Sequence, residues 1–126
     1  MSYVSPFTGD VIQPTDVSYR SVTLTANTQL YWPSTSTTAT DFTARIMQVT
    51  ASSAGLQLRM PPANEASVGQ DALIQNLGAN SFDVVTYANG GAIVTVAAGE
   101  SKYIFITANS TASGSWGSFD FGTGTS

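Results

Sequence analysis

Apolar and polar residues alternate along most of the chain after residue 20, in short runs separated by turn-forming residues. The stretch 55–60 shows this best, with Leu56 and Leu58 on one side and Gln57 and Arg59 on the other. Alternation with a period of two is typical of a β-strand with one buried face. The pattern predicts nine strands, at 21–26, 28–32, 43–49, 55–60, 72–77, 81–87, 92–97, 102–107 and 116–121.

Turn chemistry supports this assignment. Asn89 and Gly90 both tolerate positive φ and predict a tight hairpin between two of the strands. Pro61 and Pro62 cannot donate to a sheet, so the segment 61–71 is expected to interrupt the strands with at most one helical turn.

The spacing and patterning of the strands predict the architecture. Strands 92–97 and 102–107 carry apolar residues on both faces, which is typical of central strands covered on each side. Strands that recur about every ten residues in the second half favour an antiparallel meander. We therefore predict an all-β fold, an antiparallel β-sandwich of jelly-roll type, with no sequence repeat to favour a solenoid.

The two ends of the chain differ from the sandwich domain, predicted at 21–121. Residues 1–20 contain Pro6 and Pro14 and no apolar period, and we interpret them as an extended N-terminal docking arm. The Gly/Thr/Ser-rich residues 122–126 are interpreted as a tether. A frayed terminus is the alternative for the arm, but its apolar side chains favour docking on another protein. The candidate docking residues are Tyr3, Val4, Phe7, Val11, Ile12 and Tyr19.

Charge and hydropathy exclude several classes of partner. Charged residues make up 10% of the chain, the net charge is −4, and only four residues are basic. So few scattered cations predict no nucleic-acid binding. No apolar stretch approaches the length of about 18 residues that a membrane span requires, so no membrane contact is expected. The first residues also lack the pattern of a secretion signal.

The inventory of reactive side chains argues against an enzyme. The chain contains no histidine and no cysteine, which excludes a Ser-His-Asp triad, a cysteine nucleophile and a thiolate metal site. Paired carboxylates remain, and Asp71 with Asp83 or Glu100 with Asp120 could approach across strands. No motif distinguishes these pairs, so we predict a non-enzymatic protein without a cofactor or metal.

Aromatic residues suggest one further kind of site. Tyr31 and Trp32 lie next to a polar segment, 33–41, that is expected to form an exposed loop. Aromatic rings on a surface can stack against sugars or other proteins. The pair is therefore a candidate surface contact, and a carbohydrate-binding receptor module is one hypothesis for the function.

Three stretches, 7–20, 60–85 and 99–126, resemble the amino-terminal virion-attachment domain of tail-fibre or tail-appendage proteins from short-tailed bacteriophages. The resemblance covers nearly the whole chain and contains no catalytic signature. It implies a structural protein of the virion, assembled in the bacterial cytoplasm, whose arm docks on other virion proteins of the tail. It also implies that the sandwich associates with copies of itself as a trimer.

The resemblance leaves the location within the virion open. Relatives of this kind continue into a distal fibre, whereas this chain ends at Ser126. It is therefore expected to be the base of a longer protein or a short stand-alone relative. In the second case a capsid decoration (cement) protein, which stabilises the phage head, is the alternative. The resemblance assigns no binding residues.

Overall fold

The computed structural model describes residues 3–4, 11–12, 19–33 and 42–123. These residues form strands joined by turns, with two single-turn 3-10 helices, so the predicted all-β class is confirmed. The strands are β1 (Tyr3–Val4), β2 (Val11–Ile12), β3 (Tyr19–Leu24), β4 (Thr28–Gln29), β5 (Ile46–Ala51), β6 (Leu56–Arg59), β7 (Asp71–Asn76), β8 (Phe82–Val85), β9 (Ala92–Val96), β10 (Glu100–Ala108) and β11 (Ser115–Thr123).

Two main sheets contain the nine strands that the sequence predicted. The larger sheet has five strands in the order β11-β10-β7-β5-β3, and the smaller has four in the order β4-β6-β8-β9. A separate antiparallel pair joins β1 to β2. Strand β3 begins at Tyr19, earlier than the predicted start of the domain at residue 21, because Tyr19 already pairs with Ile46 of β5. At the other end, β11 runs to Thr123 and so takes in the first residues of the predicted tether.

The predicted antiparallel jelly roll is wrong, because both sheets are mixed. Strands β3, β5 and β7 are parallel neighbours, and so are β4, β6 and β8. Up to β8 the chain places successive strands alternately in the two sheets, so that the strands described within 19–33 and 42–85 stack as three coils. The expectation against a solenoid is therefore wrong for this segment. From β9 onward the strands run antiparallel to their neighbours.

One hydrophobic core joins the inner faces of the two sheets. Alternate residues are buried along β5 and β7 and through the inner parts of β3 and β10, and so are matching positions on β6, β8 and β9. Full burial of each such aliphatic side chain stabilises the fold by about 1.5–3 kcal/mol. The largest fully buried side chain is Phe82. Packing of the inner faces leaves the opposite, outer face of each sheet available for other contacts.

The turns agree with the sequence only in part. The helical turn expected within 61–71 is confirmed as a 3-10 turn at Ala63–Glu65. The hairpin between β8 and β9 is also confirmed, but its positive φ angles belong to Ala88 (54°) and Asn89 (60°), whereas Gly90 has φ −74°. Within the part of the chain that the structure describes, no helix has the length and apolar content needed to cross a membrane.

Candidate functional site

The outer face of the five-stranded sheet carries a line of apolar side chains. Strand alternation directs every second residue of each strand away from the core. The strand register then makes five outward residues direct neighbours from one edge of the sheet to the other. In order, this apolar row consists of Tyr19, Ile46, Leu73, Tyr103 and Phe119.

The ends of the apolar row are the most exposed. Phe119 retains 59% of its accessible surface, Tyr19 51% and Ile46 44%. Leu73 and Tyr103 are half-buried by their neighbours on the sheet. Single exposed apolar residues are ordinary on protein surfaces, but a continuous series across five strands is typical of an interaction surface.

Three aromatic rings enlarge the apolar row at strands β10 and β11. The ring centroids of Tyr103, Phe105 and Phe119 lie 5.5–6.3 Å apart, and their planes differ by 22–33°. Nearly equal separations exclude a face-to-face column, whose outer rings would be much farther apart than neighbouring ones. The rings therefore form a patch across the two strands.

Gly117 makes room for this aromatic patch. It pairs with Phe105, and a Cβ atom at Gly117 would come within 2.5 Å of the Phe105 ring. The ring thus occupies the space that a side chain on β11 would need. Coverage of a glycine by a cross-strand aromatic is a known way to stabilise a sheet at such a position.

A charged pair borders the aromatic patch. The Tyr103 hydroxyl donates a hydrogen bond to the Asp71 carboxylate, which also lies 3.3 Å from Arg45 Nε. The Arg45 side chain is 54% exposed and that of Asp71 is 19% exposed. Exposed ion pairs of this kind contribute little stability, so the pair matters chiefly for the local charge balance.

Tyr103 should titrate late because of this contact. The hydrogen bond to Asp71 raises the pKa of Tyr103 above its ordinary value of 10.0, with smaller contributions from desolvation and from the Asp71 charge, while Arg45 acts in the opposite direction. A raised folded-state pKa means that the contribution to stability is complete below pH 10 and is lost as the pH rises through the raised value. We expect Asp71→Asn to lower the pKa of Tyr103, as measured by the ultraviolet absorbance of tyrosinate.

The control for this titration is Tyr103→Phe, which should remove the late-titrating group from a total of five tyrosines. A titration of Asp71→Asn that superimposes on the wild-type curve would contradict the assignment.

A line of polar residues lies beside the apolar row on the same face. Gln48 Nε2 donates to Gln75 Oε1 at 2.9 Å, and the Tyr19 hydroxyl donates to Gln48 Oε1 at 2.8 Å. These bonds span three parallel strands and fix the orientation of the Tyr19 ring at the edge of the sheet. The polar neighbours therefore fix the position of Tyr19 at one end of the apolar row.

The outer face of the four-stranded sheet has a different character. Thr95 Oγ1 donates to Asp83 Oδ1 at 2.7 Å, and Arg59 Nε donates to Gln57 Oε1 at 3.0 Å. Polar side chains that bond to one another in this way resemble an ordinary solvated surface. The asymmetry between the two outer faces singles out the five-stranded sheet.

The predicted contact pair Tyr31 and Trp32 is not a surface patch, and the prediction is wrong for Trp32. This side chain is only 2% exposed, packs with Ala63 and Ile106, and donates from Nε1 to the Pro62 carbonyl at 2.7 Å. Its burial depends on segments that are distant in sequence. Tyr31 is half-buried and forms an isolated bridge with Phe42.

The predicted docking residues are distributed over three segments. The backbones of Tyr3–Val4 and Val11–Ile12 pair with each other in a short antiparallel ladder. Tyr19 belongs to β3 and contributes to the apolar row. Phe7 lies outside the described residues. Docking through the arm stays a prediction.

Of the two carboxylate pairs considered from the sequence, only one comes together in the structure. Asp71 and Asp83 lie on the outer faces of different sheets and do not meet. Glu100 and Asp120 do converge, because their oxygens lie 3.7 Å and 3.1 Å from Lys102 Nζ. Lys102 thus forms a cross-strand ion pair with Asp120 of β11 and a second one with Glu100 of its own strand. Among the described residues, no group of three or more potential ligands could hold a metal ion.

Sequence reasoning missed the apolar row itself. The apolar residues on both sides of 102–107 are the one sequence signal of the row, and they equally fit a central strand covered on each side. In the structure β10 is covered on its inner face, and the half-buried Tyr103 and Phe105 lie on the outer one. Strand β9, expected to be central as well, lies at an edge.

Comparison with known proteins adds no assignment. No protein family, no curated protein and no solved structure matches this chain.

Proposed function

We propose that this protein is a non-enzymatic structural component of a bacteriophage virion. In this proposal it forms the base of a tail fibre or tail appendage, attaches to other virion proteins through the N-terminal arm and assembles with copies of itself. The observation that carries the proposal is the apolar row that crosses all five strands of one sheet and is exposed at Tyr19, Ile46 and Phe119. A broad apolar surface of this kind supports a protein that works by holding other proteins.

Two other features support a structural role. The sequence resemblance to phage tail-appendage domains covers nearly the whole chain. The absence of histidine and cysteine removes the commonest catalytic bases and nucleophiles. The hypothesis of a carbohydrate-binding module depends on the pair Tyr31 and Trp32. It is weakened because Trp32 is buried and cannot stack against a sugar at the surface.

Attachment through the arm is tested by deleting residues 1–18, which leaves β3 intact from Tyr19. We expect the shortened protein to keep its circular dichroism spectrum and cooperative unfolding but to be lost from purified virions. The physical reason is that extended arms contribute backbone ladders and apolar anchors to a partner while adding little to their own domain.

A second variant tests whether any loss of incorporation comes from misfolding of the shortened protein. Phe7→Asp combined with Ile12→Asp keeps the chain length but places charge at two arm positions, and we expect the same loss. Incorporation of both variants at the wild-type level would refute attachment through the arm. Electron microscopy of labelled virions then separates the two locations, since label on the tail supports the appendage and label on the head supports a capsid decoration protein.

A further inference from the structure

We infer that copies of this chain associate face to face through the outer surface of the five-stranded sheet, with the apolar row at the centre of the contact. This inference rests on the proposed function and names the surface that self-assembly would use. The arm would then be left for attachment to other virion proteins.

The size of the surface suits a protein partner. Five strands spaced about 4.8 Å apart, each at least six residues long at about 3.3 Å per residue, give a face of at least roughly 20 by 24 Å. With the relief of its side chains, such a face supplies most of the roughly 800 Å² that each partner contributes to a standard interface. Small ligands, in contrast, are usually enclosed in concave clefts.

The shape of the surface suits another sheet. Two sheets pack face to face about 10 Å apart when each presents interdigitating apolar side chains. The apolar row extends from β3 at one edge to β11 at the other and crosses the central strand β7 at Leu73. A second copy therefore meets apolar residues along the whole width of the sheet.

The charge distribution favours a second copy as the occupant. The chain carries a net charge of −4, so two copies repel each other over most of their surface. Among the outward side chains described on this face, Asp71 alone is charged, and Arg45 pairs with it. The positive charge of Arg45 and the negative charge of Asp71 compensate each other, so the face is locally neutral. A second copy that packs the same face against it therefore meets no uncompensated charge.

The experiment measures the mass of the full chain in solution by sedimentation and light scattering at about 100 μM, a concentration well above the Kd expected of a specific interface. We expect the wild type to have at least twice the mass of the 13.1 kDa chain, because a face that packs against the same face of a second copy is satisfied by two chains. Ile46→Glu and Phe119→Lys each place a charge in the apolar row at an already exposed position. Each should weaken association at least about tenfold while the unfolding transition stays intact.

Val68→Lys is the matched control, because Val68 is 58% exposed but lies in the turn before β7, away from the strands of this face. It should associate like the wild type. A monomeric wild type, or face variants that associate as well as the wild type, would overturn the inference.

Incorporation into virions separates this inference from the proposed function. A monomeric chain that still enters virions through its arm would leave the structural role standing and remove self-association through this face. If the wild type is monomeric and Ile46→Glu is excluded from virions, the face binds a different virion protein and the inference also fails. Absence of the protein from virions would refute the proposed function whatever its mass in solution.

Discussion

Replacing Trp32 with alanine is expected to lower the free energy of unfolding by about 3–5 kcal/mol, the usual cost of truncating a large buried aromatic side chain. The side chain is 2% exposed and packs with Ala63 and Ile106 beside the half-buried Trp116. Truncation would open a cavity at this end of the core and leave the Pro62 carbonyl without the indole donor. The measurement is urea unfolding followed by circular dichroism.

Two matched variants separate the causes of this loss. Trp32→Phe keeps most of the packed volume but removes the indole N–H. The Pro62 carbonyl still accepts from the Glu65 N–H at 3.2 Å, so we expect a smaller cost of about 0.5–1.5 kcal/mol, that of one ordinary hydrogen bond. Tyr31→Ala, at the half-buried neighbouring position, should cost less than Trp32→Ala. If Trp32→Ala unfolded within about 0.5 kcal/mol of the wild type, as a surface substitution does, the buried role would be refuted and the contact patch restored.

Alternation of side chains was enough to find the strands, because the period of two is a local property of each segment. Each predicted strand has a counterpart in β3–β11. The pairing of strands was not predictable in the same way. A gap of a few residues can close a hairpin within one sheet, as between β8 and β9, or cross to the other sheet, as between β7 and β8. Both look alike in a sequence. A meander was therefore predicted for the second half of the chain, whereas β7 and β8 lie in different sheets and only the pairs β8–β9 and β10–β11 are antiparallel hairpins.

The hairpin between β8 and β9 shows the limit of turn chemistry. Asn89 and Gly90 correctly indicated a turn, yet Ala88 adopts the left-handed conformation in place of Gly90. The backbone N–H of Ala88 donates to Gln29 Oε1 at 2.9 Å, a contact with a residue that lies far away in the sequence. Such a distant contact fixes the turn one residue earlier than the local sequence favours.

The candidate surface could be predicted only in fragments. Tyr19, Ile46 and Phe119 come from three separate segments, and their alignment depends on the parallel pairing of β3 with β5 and on the position of β11 at the edge. The same dependence explains the error at Trp32, which adjoins a polar segment in sequence but packs against residues from two distant ones. Local pattern predicts which side chains share a face, whereas tertiary contacts decide whether that face is covered.

Asn76 is expected to be the most sensitive polar position of the core. Its side chain is 1% exposed, and Nδ2 donates to the carbonyls of Asn80 at 2.8 Å and Val96 at 3.1 Å. Its Oδ1 accepts from the Gly78 N–H at 2.9 Å. One amide thus bonds the turn after β7 to the end of β9 in the other sheet. We expect Asn76→Ala to cost about 3–5 kcal/mol, since it removes one buried and two part-buried hydrogen bonds at once and a buried backbone group left without a partner costs about 1–3 kcal/mol.

Asn76→Asp provides the matched control, because it keeps the size of the side chain and the acceptor for the Gly78 N–H. It loses the donor and places a carboxylate beside two carbonyl oxygens, so burial should raise the pKa of the introduced carboxyl. Only its protonated form can donate to a carbonyl. The variant should therefore be strongly destabilised at neutral pH and recover relative to the wild type as the pH falls through that raised pKa. Urea unfolding at a series of pH values measures this, and a cost for Asn76→Ala below about 1 kcal/mol, the size of a single ordinary hydrogen bond, would show that the amide does not connect the two sheets as described.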